Sequence, residues 1–460
     1  MTLLSEQISM IESMAPAELR GTVVEVRGLA LRIADLPVPI GAMVRVETAR
    51  GLGKPIFGEV LGFDQNQTIV MPFGTTGGVR RGDRAIAQQY HQLVRVGRSL
   101  LGRVLDGLGR PIDGKGPLVD TVQRPLHPAP VDPLDRPCID APLATGVRAI
   151  DAALSVGLGQ RLGVFAAPGV GKSTLLGTMA RHTSADVSVV ALIGERGREV
   201  RDFIEHQLGE EGLARSVVVC ATSDEPALVR IRAAQAANSI AEYFRDQGLN
   251  VLMIMDSITR FCQAQRQVGL AAGEPPATKG YPPSVFSTLP ILLERSGRTT
   301  RGSITGFYAV LVDGDDMNDP VADAARGILD GHVVLSRALA AKGHWPAIDI
   351  LESISRVVDE VTDAEQQAAR REMIKLIAAY RQVEDLVNIG AYAAGSNPDF
   401  DLAIACKPAI DQLLQQGRKE VIGQADFART RGQLLALMQQ VQISKRQLLK
   451  NVPGRTPVRK

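Results

Sequence analysis

The stretch FAAPGVGKST, Phe165 to Thr174, constrains this chain more than any other. It matches the phosphate-binding pattern G-x-x-x-x-G-K-[ST] except that Ala166 replaces the first glycine. Such a loop works only between the end of a strand and the start of a helix, so it commits the surrounding chain to a sheet with helices on its faces. Gly169 and Gly171 let the backbone approach phosphate oxygens and turn amide hydrogens toward them, and the helix N-terminus adds a favourable field. Lys172 is expected to hold the β- and γ-phosphates and the Ser173 hydroxyl to coordinate Mg²⁺, with Ala167, Pro168, Val170 and Thr174 completing the contact run. Ala166 stands at the strand end, where a side chain need not meet phosphate, and Pro168 removes one amide donor at the loop's outer edge.

The surrounding pattern agrees with that commitment. From about Thr145 the apolar runs RLGVFAA, VSVVALIG, SVVVCA, VLMIMD and SITGFYAVLV alternate with amphipathic helical stretches, which predicts a doubly wound α/β core of parallel strands covered on both faces. A chain of 460 residues exceeds what one core holds, roughly 250 to 300 residues, so further domains are expected. Leu19 to Ile86 alternates short β-rich pieces with glycine turns, as in a small antiparallel barrel. Asp106 to Asp140, rich in Pro and Gly, reads as an extended connector, and beyond Glu360 the strands give way to helices. The expected domains are residues 1–95 for the barrel, 96–365 for the nucleotide-binding part and 366–460 for the helical part.

Composition narrows the partners. Lys plus Arg number 52 against 50 for Asp plus Glu, so the net charge of +2 gives no reason to expect nucleic acid. No acid follows Asp426, while Lys445, Arg446, Lys450, Arg455, Arg459 and Lys460 do; that tail reads either as a solvated end or as a contact for a membrane surface or acidic partner. Cys138, Cys220, Cys262 and Cys406 are scattered, which supports neither a disulfide framework nor a zinc site and fits a reducing cytosol. No apolar run approaches a bilayer span and MTLLSEQISMIESM lacks a basic signal-peptide start, so any membrane association is expected to be peripheral.

Hydrolysis needs more than a phosphate loop. VLMIMDSITR delivers Asp256 to the end of an apolar strand, where it can serve the metal site, although apolar runs ending in Asp are common. In ALIGERGREV, Glu195 follows a strand and a glycine, the place from which a carboxylate orients or deprotonates an attacking water, and Arg196 beside it would reach phosphate. Taken alone, ERGRE reads equally as an exposed, ion-paired helix start.

Read together in chain order, FAAPGVGKSTLLGTMAR, ALIGERGREVRDFIE, MDSITRF, GEPPATKGYPPSVFSTLPILLERSGR, GSITGFYAVLVDGDDMNDPVADAARGILDGHVVLSR and HWPAIDILESISRV resemble the catalytic core of the rotary-type hexameric ATPases. The match is nearest to the type III export ATPases of the bacterial flagellum and runs over nearly the whole chain. The resemblance implies an α/β, RecA-like phosphate-loop ATPase core with an N-terminal β-barrel and a C-terminal helical domain. It makes Asp256 the acidic residue of the Mg²⁺ site, Glu195 the catalytic glutamate, Arg196 and Arg260 phosphate contacts, and Arg356 a finger inserted by a neighbouring subunit. Such fingers are worth roughly 10³ to 10⁵ in rate. Trp345, where relatives carry Tyr or Phe, would flank the adenine or else serve packing, and Tyr392 would close the other side of the base. The resemblance further implies ATP with Mg²⁺, a homohexamer, a flagellar export regulator on the extreme N-terminus, a central stalk protein, an export gate and chaperone–substrate complexes, all at the inner face of the cytoplasmic membrane.

Other functions fit less of the sequence. An injectisome export ATPase shares most of these motifs and is the nearest alternative. A rotary synthase subunit sits in an alternating ring that divides the tasks which Glu195 and Arg356 here combine on one chain. A nucleic-acid translocase would need a basic and aromatic barrel surface for base stacking, and the barrel carries only Phe57, Phe63, Phe73 and Tyr90.

Overall fold

The computed structural model describes residues 18–48, 55–89, 92–312, 316, 318–417, 420 and 424–450. The N-terminal segment expected to meet a regulator, Tyr90, and the tail residues Arg455, Arg459 and Lys460 lie outside them.

Six strands close into a barrel: β1 (Arg20–Arg27), β2 (Ala30–Ala34), β3 (Met43–Glu47), β4 (Ile56–Asp64), β5 (Gln67–Pro72) and β6 (Arg84–Gln89). The first five follow the β-rich pieces of the sequence, and β6 completes the closure by pairing with both β1 and β3. Val23, Leu31, Ile33, Val44, Val60 and Val70 fill the interior; β3 alternates as a half-buried strand does, whereas β5 is buried on both faces from Thr68 to Pro72. The barrel docks on the rest of the chain through a buried ion pair, Glu59 Oε2 to Arg232 Nη1 at 3.1 Å, with the Arg232 guanidinium also lying 5.1 Å from the centre of the Phe73 ring.

The central sheet runs through β7 (Arg103–Asp106), β8 (Arg161–Ala166), β9 (Val187–Ile193), β10 (Ser216–Ala221), β11 (Asn250–Asp256), β12 (Ser303–Leu311), β13 (Gly331–Leu335) and β14 (Ile348–Ser355). Its order is β14-β13-β8-β12-β11-β9-β10-β7, with Gly297–Arg298 as a short ninth strand beside β12. All neighbours along that order pair in parallel except β13 and β14. The sequence reading does not include β7, which ends at Asp106, where the extended connector begins, and which forms the sheet edge. The connector's Val122–Pro125 also pairs, antiparallel to Leu93–Val96.

Helices cover both faces. The apolar runs of β9, β10 and β11 divide by alternation: Val189, Ala191 and Met253 enter one core with α3 (Ala227–Asp246) and α4 (Ile258–Ala272), and Val190, Leu192 and Ile254 enter the other with α1 (Lys172–His182). The second core continues into α5 (Ala364–Asn388), α6 (Pro398–Leu414) and α7 (Phe427–Lys450), whose Met373, Cys406 and Leu437 belong to it. The C-terminal helices are thus packed against the same face that carries the phosphate-loop helix. Cys220, Cys262 and Cys406 are buried and free, and Cys138 is exposed and free. Among the described residues no helix is long and apolar enough to cross a membrane.

Candidate active site

Because β8, β9 and β11 run parallel, their C-terminal ends lie along one edge of the sheet, the edge where ligands gather in folds of this kind. Strand β8 delivers the phosphate loop there. Gly169 and Gly171 take φ values of 83° and 89°, in the left-handed region that a side chain disfavours, and Gly171 caps α1. Ala167 and Val170 point into the core and fix the loop, while Pro168, Gly169 and Ser173 are exposed and Lys172 and Thr174 are half-buried.

Three charged side chains meet above this loop. The Lys172 ammonium is hydrogen-bonded to Asp256 and lies 3.5 Å from Glu195 Oε1. Asp256 and Glu195 come together because β9 and β11 are neighbours with Leu192 opposite Asp256, and Gly194, at φ 73°, then turns the chain over the strand end. Burial disfavours the Lys172 charge, but the two carboxylates outweigh it and raise the pKa. Burial, reinforced by the nearby Asp256 charge, pushes Glu195 up to about 7 against the opposing pull of Lys172. The hydrogen bond from Glu195 lowers its neighbour Glu199.

Other sequence-predicted residues divide. Arg260, on the first turn of α4, lies with its stem over the backbone of Gly194: a Cβ there would meet Arg260 Cβ at 2.8 Å. Its guanidinium donates to Gln263 Oε1 at 3.0 Å. Arg196 is not drawn into the cluster; its side chain is 78% exposed, with Glu199 3.9 Å away. Arg356 is exposed and follows β14, which runs back antiparallel to β13, with Leu335 opposite Ile348 and Gly331 opposite Ser355. Trp345 therefore stands beside the phosphate loop and Arg356 at the opposite edge of the sheet. Among the described residues the Arg356 guanidinium has no hydrogen bond or ion pair; its backbone is held by Asp330 O at 3.0 Å.

Beside the loop lies a cleft of about 450 Å³ lined by Val170, Gly171, Leu335, Trp345, Pro346 and Gln416 among others. The Trp345 ring rests on Gly171, where a Cβ would come within 2.9 Å of Cζ3. The walls are mostly apolar, as suits a flat base. Tyr392 is not among its walls: the hydroxyl donates to Asp401 Oδ1 at 3.0 Å, and Gln416 and Gly417 line the cleft instead. The sequence reading also missed Glu199, whose only local signal was a second acid four residues after Glu195, and Gln416, which carried none. His344, next to Trp345, is buried, with Nδ1 3.2 Å from Gln415 Nε2.

The fold and this loop define a phosphate-loop nucleotide-binding protein with a β-barrel before its catalytic sheet and a helical bundle after it. Residues 146–355 match the ATP synthase alpha/beta family nucleotide-binding domain, residues 19–87 its beta-barrel domain, and residues 362–436 the T3SS EscN ATPase C-terminal domain. The flagellum-specific ATP synthase of Treponema pallidum (strain Nichols) is 50% identical over 405 residues, 88% of this chain and 90% of the relative. The type 3 secretion system ATPase of Xanthomonas euvesicatoria is also 50% identical, over 86% of this chain and 89% of its own. The assembled ATPase EscN of enteropathogenic E. coli, solved in complex with its central stalk EscO, superposes with a TM-score of 0.83 at 44% identity, over 91% of this chain and 99% of that one. The chain belongs to the ATP synthase alpha/beta family, in the branch of the flagellum-specific and type III secretion ATPases.

Proposed function

We propose that this chain hydrolyses ATP as a homohexameric ring and that hydrolysis energises type III protein export for flagellar assembly, by releasing chaperones, unfolding substrates and loading them into a membrane export gate. The observation that carries the catalytic part is the Lys172–Asp256–Glu195 cluster at the phosphate loop. Amide hydrogens of Gly169 to Lys172 and the Lys172 ammonium bind the β- and γ-phosphates. The exposed Ser173 hydroxyl and the Asp256 carboxylate are hard oxygen donors of the kind Mg²⁺ prefers, and among the described residues no three His, Cys, Asp or Glu side chains gather to hold a metal by themselves, as suits an ion shared with phosphates. When bound, Mg²⁺ would neutralise charge on the phosphate oxygens. Glu195, poised near neutrality, takes the proton of the attacking water.

The length of β14 separates Arg356 from the site of its own chain, which supports a role at a neighbour's site. In a ring it reaches the neighbour's γ-phosphate, with Arg260 and the exposed Arg196 as further phosphate contacts once nucleotide is bound. A central stalk, an N-terminal regulator and a peripheral position at the inner face of the cytoplasmic membrane complete the proposal. Nucleic acid is not a partner in this reading, which rests on the near-neutral net charge of +2 and on the few barrel aromatics, of which Phe57 and Phe63 are exposed and Phe73 is covered by Arg232. An injectisome role is the second reading, favoured by the equal identity of the Xanthomonas relative.

Deleting the gene and complementing with wild-type or Lys172→Ala chain tests the proposal. Loss of motility restored by wild type alone is expected, whereas intact motility with lost effector secretion would move the chain to the injectisome.

A further inference from the structure

Gln416 lies two residues beyond the end of α6, where the C-terminal bundle meets the nucleotide cleft, and among the described residues each hydrogen bond it makes joins segments far apart in sequence. Its amide donates to Trp345 O at 2.8 Å. Its carboxamide Nε2 donates to Gly146 O at 2.8 Å, and its Oε1 accepts from the Arg148 amide at 2.8 Å. Arg148 reciprocates, donating from Nε to Leu413 O at 3.1 Å, and Gln415 Nε2 reaches His344 Nδ1 at 3.2 Å. The segment that ends α6 is thus fastened to Gly146–Arg148 on one side of the cleft and to His344–Trp345 on the other.

With its oxygen and one hydrogen committed, the carboxamide acts here as a strut between backbones rather than as a group free to read a base edge. The Trp345 ring, partly exposed, rests on Gly171 of the phosphate loop, and its backbone carbonyl is tethered to Gln416. We propose that Gln416 is a positioning residue for the nucleotide site: it fixes the Trp345 wall in its binding geometry and couples the seat of the C-terminal bundle to occupancy of the cleft. The inference rests on the nucleotide reading of this cleft.

Removing the carboxamide frees the Gln416 segment from Gly146 O and the Arg148 amide while its own amide still holds Trp345 O, so the segment and the Trp345 wall it carries can sample other positions together. If the binding-competent fraction falls to about a tenth, nucleotide affinity falls about tenfold. Because Lys172, Asp256 and Glu195 are untouched, kcat should stay within about twofold while KM carries the loss.

Trp345 is the only tryptophan of the chain, so its emission reports this wall directly. Full-length wild type, Gln416→Ala and Gln416→Glu would be titrated with Mg²⁺ and ADP by intrinsic fluorescence, followed by steady-state ATP hydrolysis and thermal unfolding. The expected result is a titration midpoint displaced about tenfold in Gln416→Ala with an unchanged unfolding temperature. Gln416→Glu keeps the acceptor for the Arg148 amide but sets a carboxylate oxygen against Gly146 O, so its loss should at least match that of Gln416→Ala. A wild-type response with both variants at wild-type affinity overturns the strut alone, as does a loss confined to kcat. A wild-type chain whose Trp345 ignores nucleotide overturns the cleft assignment and the strut with it. Should Gln416→Ala not fold, Gln416→Glu carries the test on the same criteria.

Discussion

Gly171 and Trp345 are in contact at the cleft beside the phosphate loop: the ring stands where a Cβ on Gly171 would lie 2.9 Å from Cζ3. The glycine also holds φ at 89°. Gly171→Ala therefore combines backbone strain with displacement of the ring, and nucleotide affinity should fall by about ten- to a hundredfold, given ~1–2 kcal/mol for the conformation alone. In Gly171→Ala/Trp345→Ala the collision is gone and only the strain remains, so the two losses should not add. Fluorescent-nucleotide titration of the four proteins checks it, and simple additivity would show that the ring does not press on the loop.

Glu195 should set the acid limb of the pH profile. Its carboxyl, pushed up to about 7 by burial and by Asp256, must be ionised to accept a proton, so kcat/KM should rise about tenfold per pH unit below that value and level off above it. Glu195→Gln should lose turnover while still binding ATP. The same shift affects stability with a definite sign: a folded-state pKa above the unfolded one favours the fold fully at low pH and loses that contribution as pH rises through about 7. Nucleotide-free Glu195→Gln should thus gain stability on the order of 2 kcal/mol over wild type at pH 8 and less at pH 5. Denaturant melts at both values decide the matter, and a gain equal at the two would place its origin elsewhere.

Arg356 should be needed for hydrolysis and dispensable for binding. Arg356→Ala is expected to lower kcat by roughly 10³-fold or more while a monomer binds nucleotide as wild type does. Mixing Arg356→Ala with Lys172→Ala chains should restore some turnover, since a joint between an intact Lys172 site and an intact Arg356 is complete. Equal loss of affinity in the Arg356→Ala monomer, or no recovery on mixing, would tie the arginine to its own chain.

The barrel seam makes a fourth prediction. Arg232→Ala would leave Glu59 buried without its partner, a change that costs about 3–5 kcal/mol in comparable cases. Burial already raises the Glu59 pKa in the intact protein, chiefly through desolvation, so in the variant its neutral form should be favoured further. Unfolding temperature should fall at pH 8 and recover partly toward pH 5, where the carboxyl takes up a proton; a deficit independent of pH would assign the loss to packing against Phe73.

The phosphate loop with its flanking strand and helix was legible because its signals are local: an apolar run of strand length, two glycines and a Lys-Ser pair in fixed order; Asp256 and Glu195 stood out only when the motifs were read together in chain order. Strand β7 was not, since RVLD is short, lies among glycines and becomes a strand only by pairing with β10, more than a hundred residues away. Tyr392 was misplaced and Gln416 overlooked for one reason. Which side chain lines a wall built from the end of a helix depends on how α6 seats on Gly146–Arg148, and no periodicity in the helix encodes that. Arg196 shows the converse, a motif residue whose side chain faces solvent.

The antiparallel return of β14 gives each chain a head, where the phosphate loop opens, and a tail, where Arg356 projects. Chains joined head to tail in an open arc leave an unanswered loop at one end and an idle arginine at the other, one working joint fewer than the number of chains. Only closure makes the two counts equal. If Arg356 serves its neighbour as proposed, output per chain becomes a measure of ring completeness, and a partner that held the arc open would inhibit without touching nucleotide.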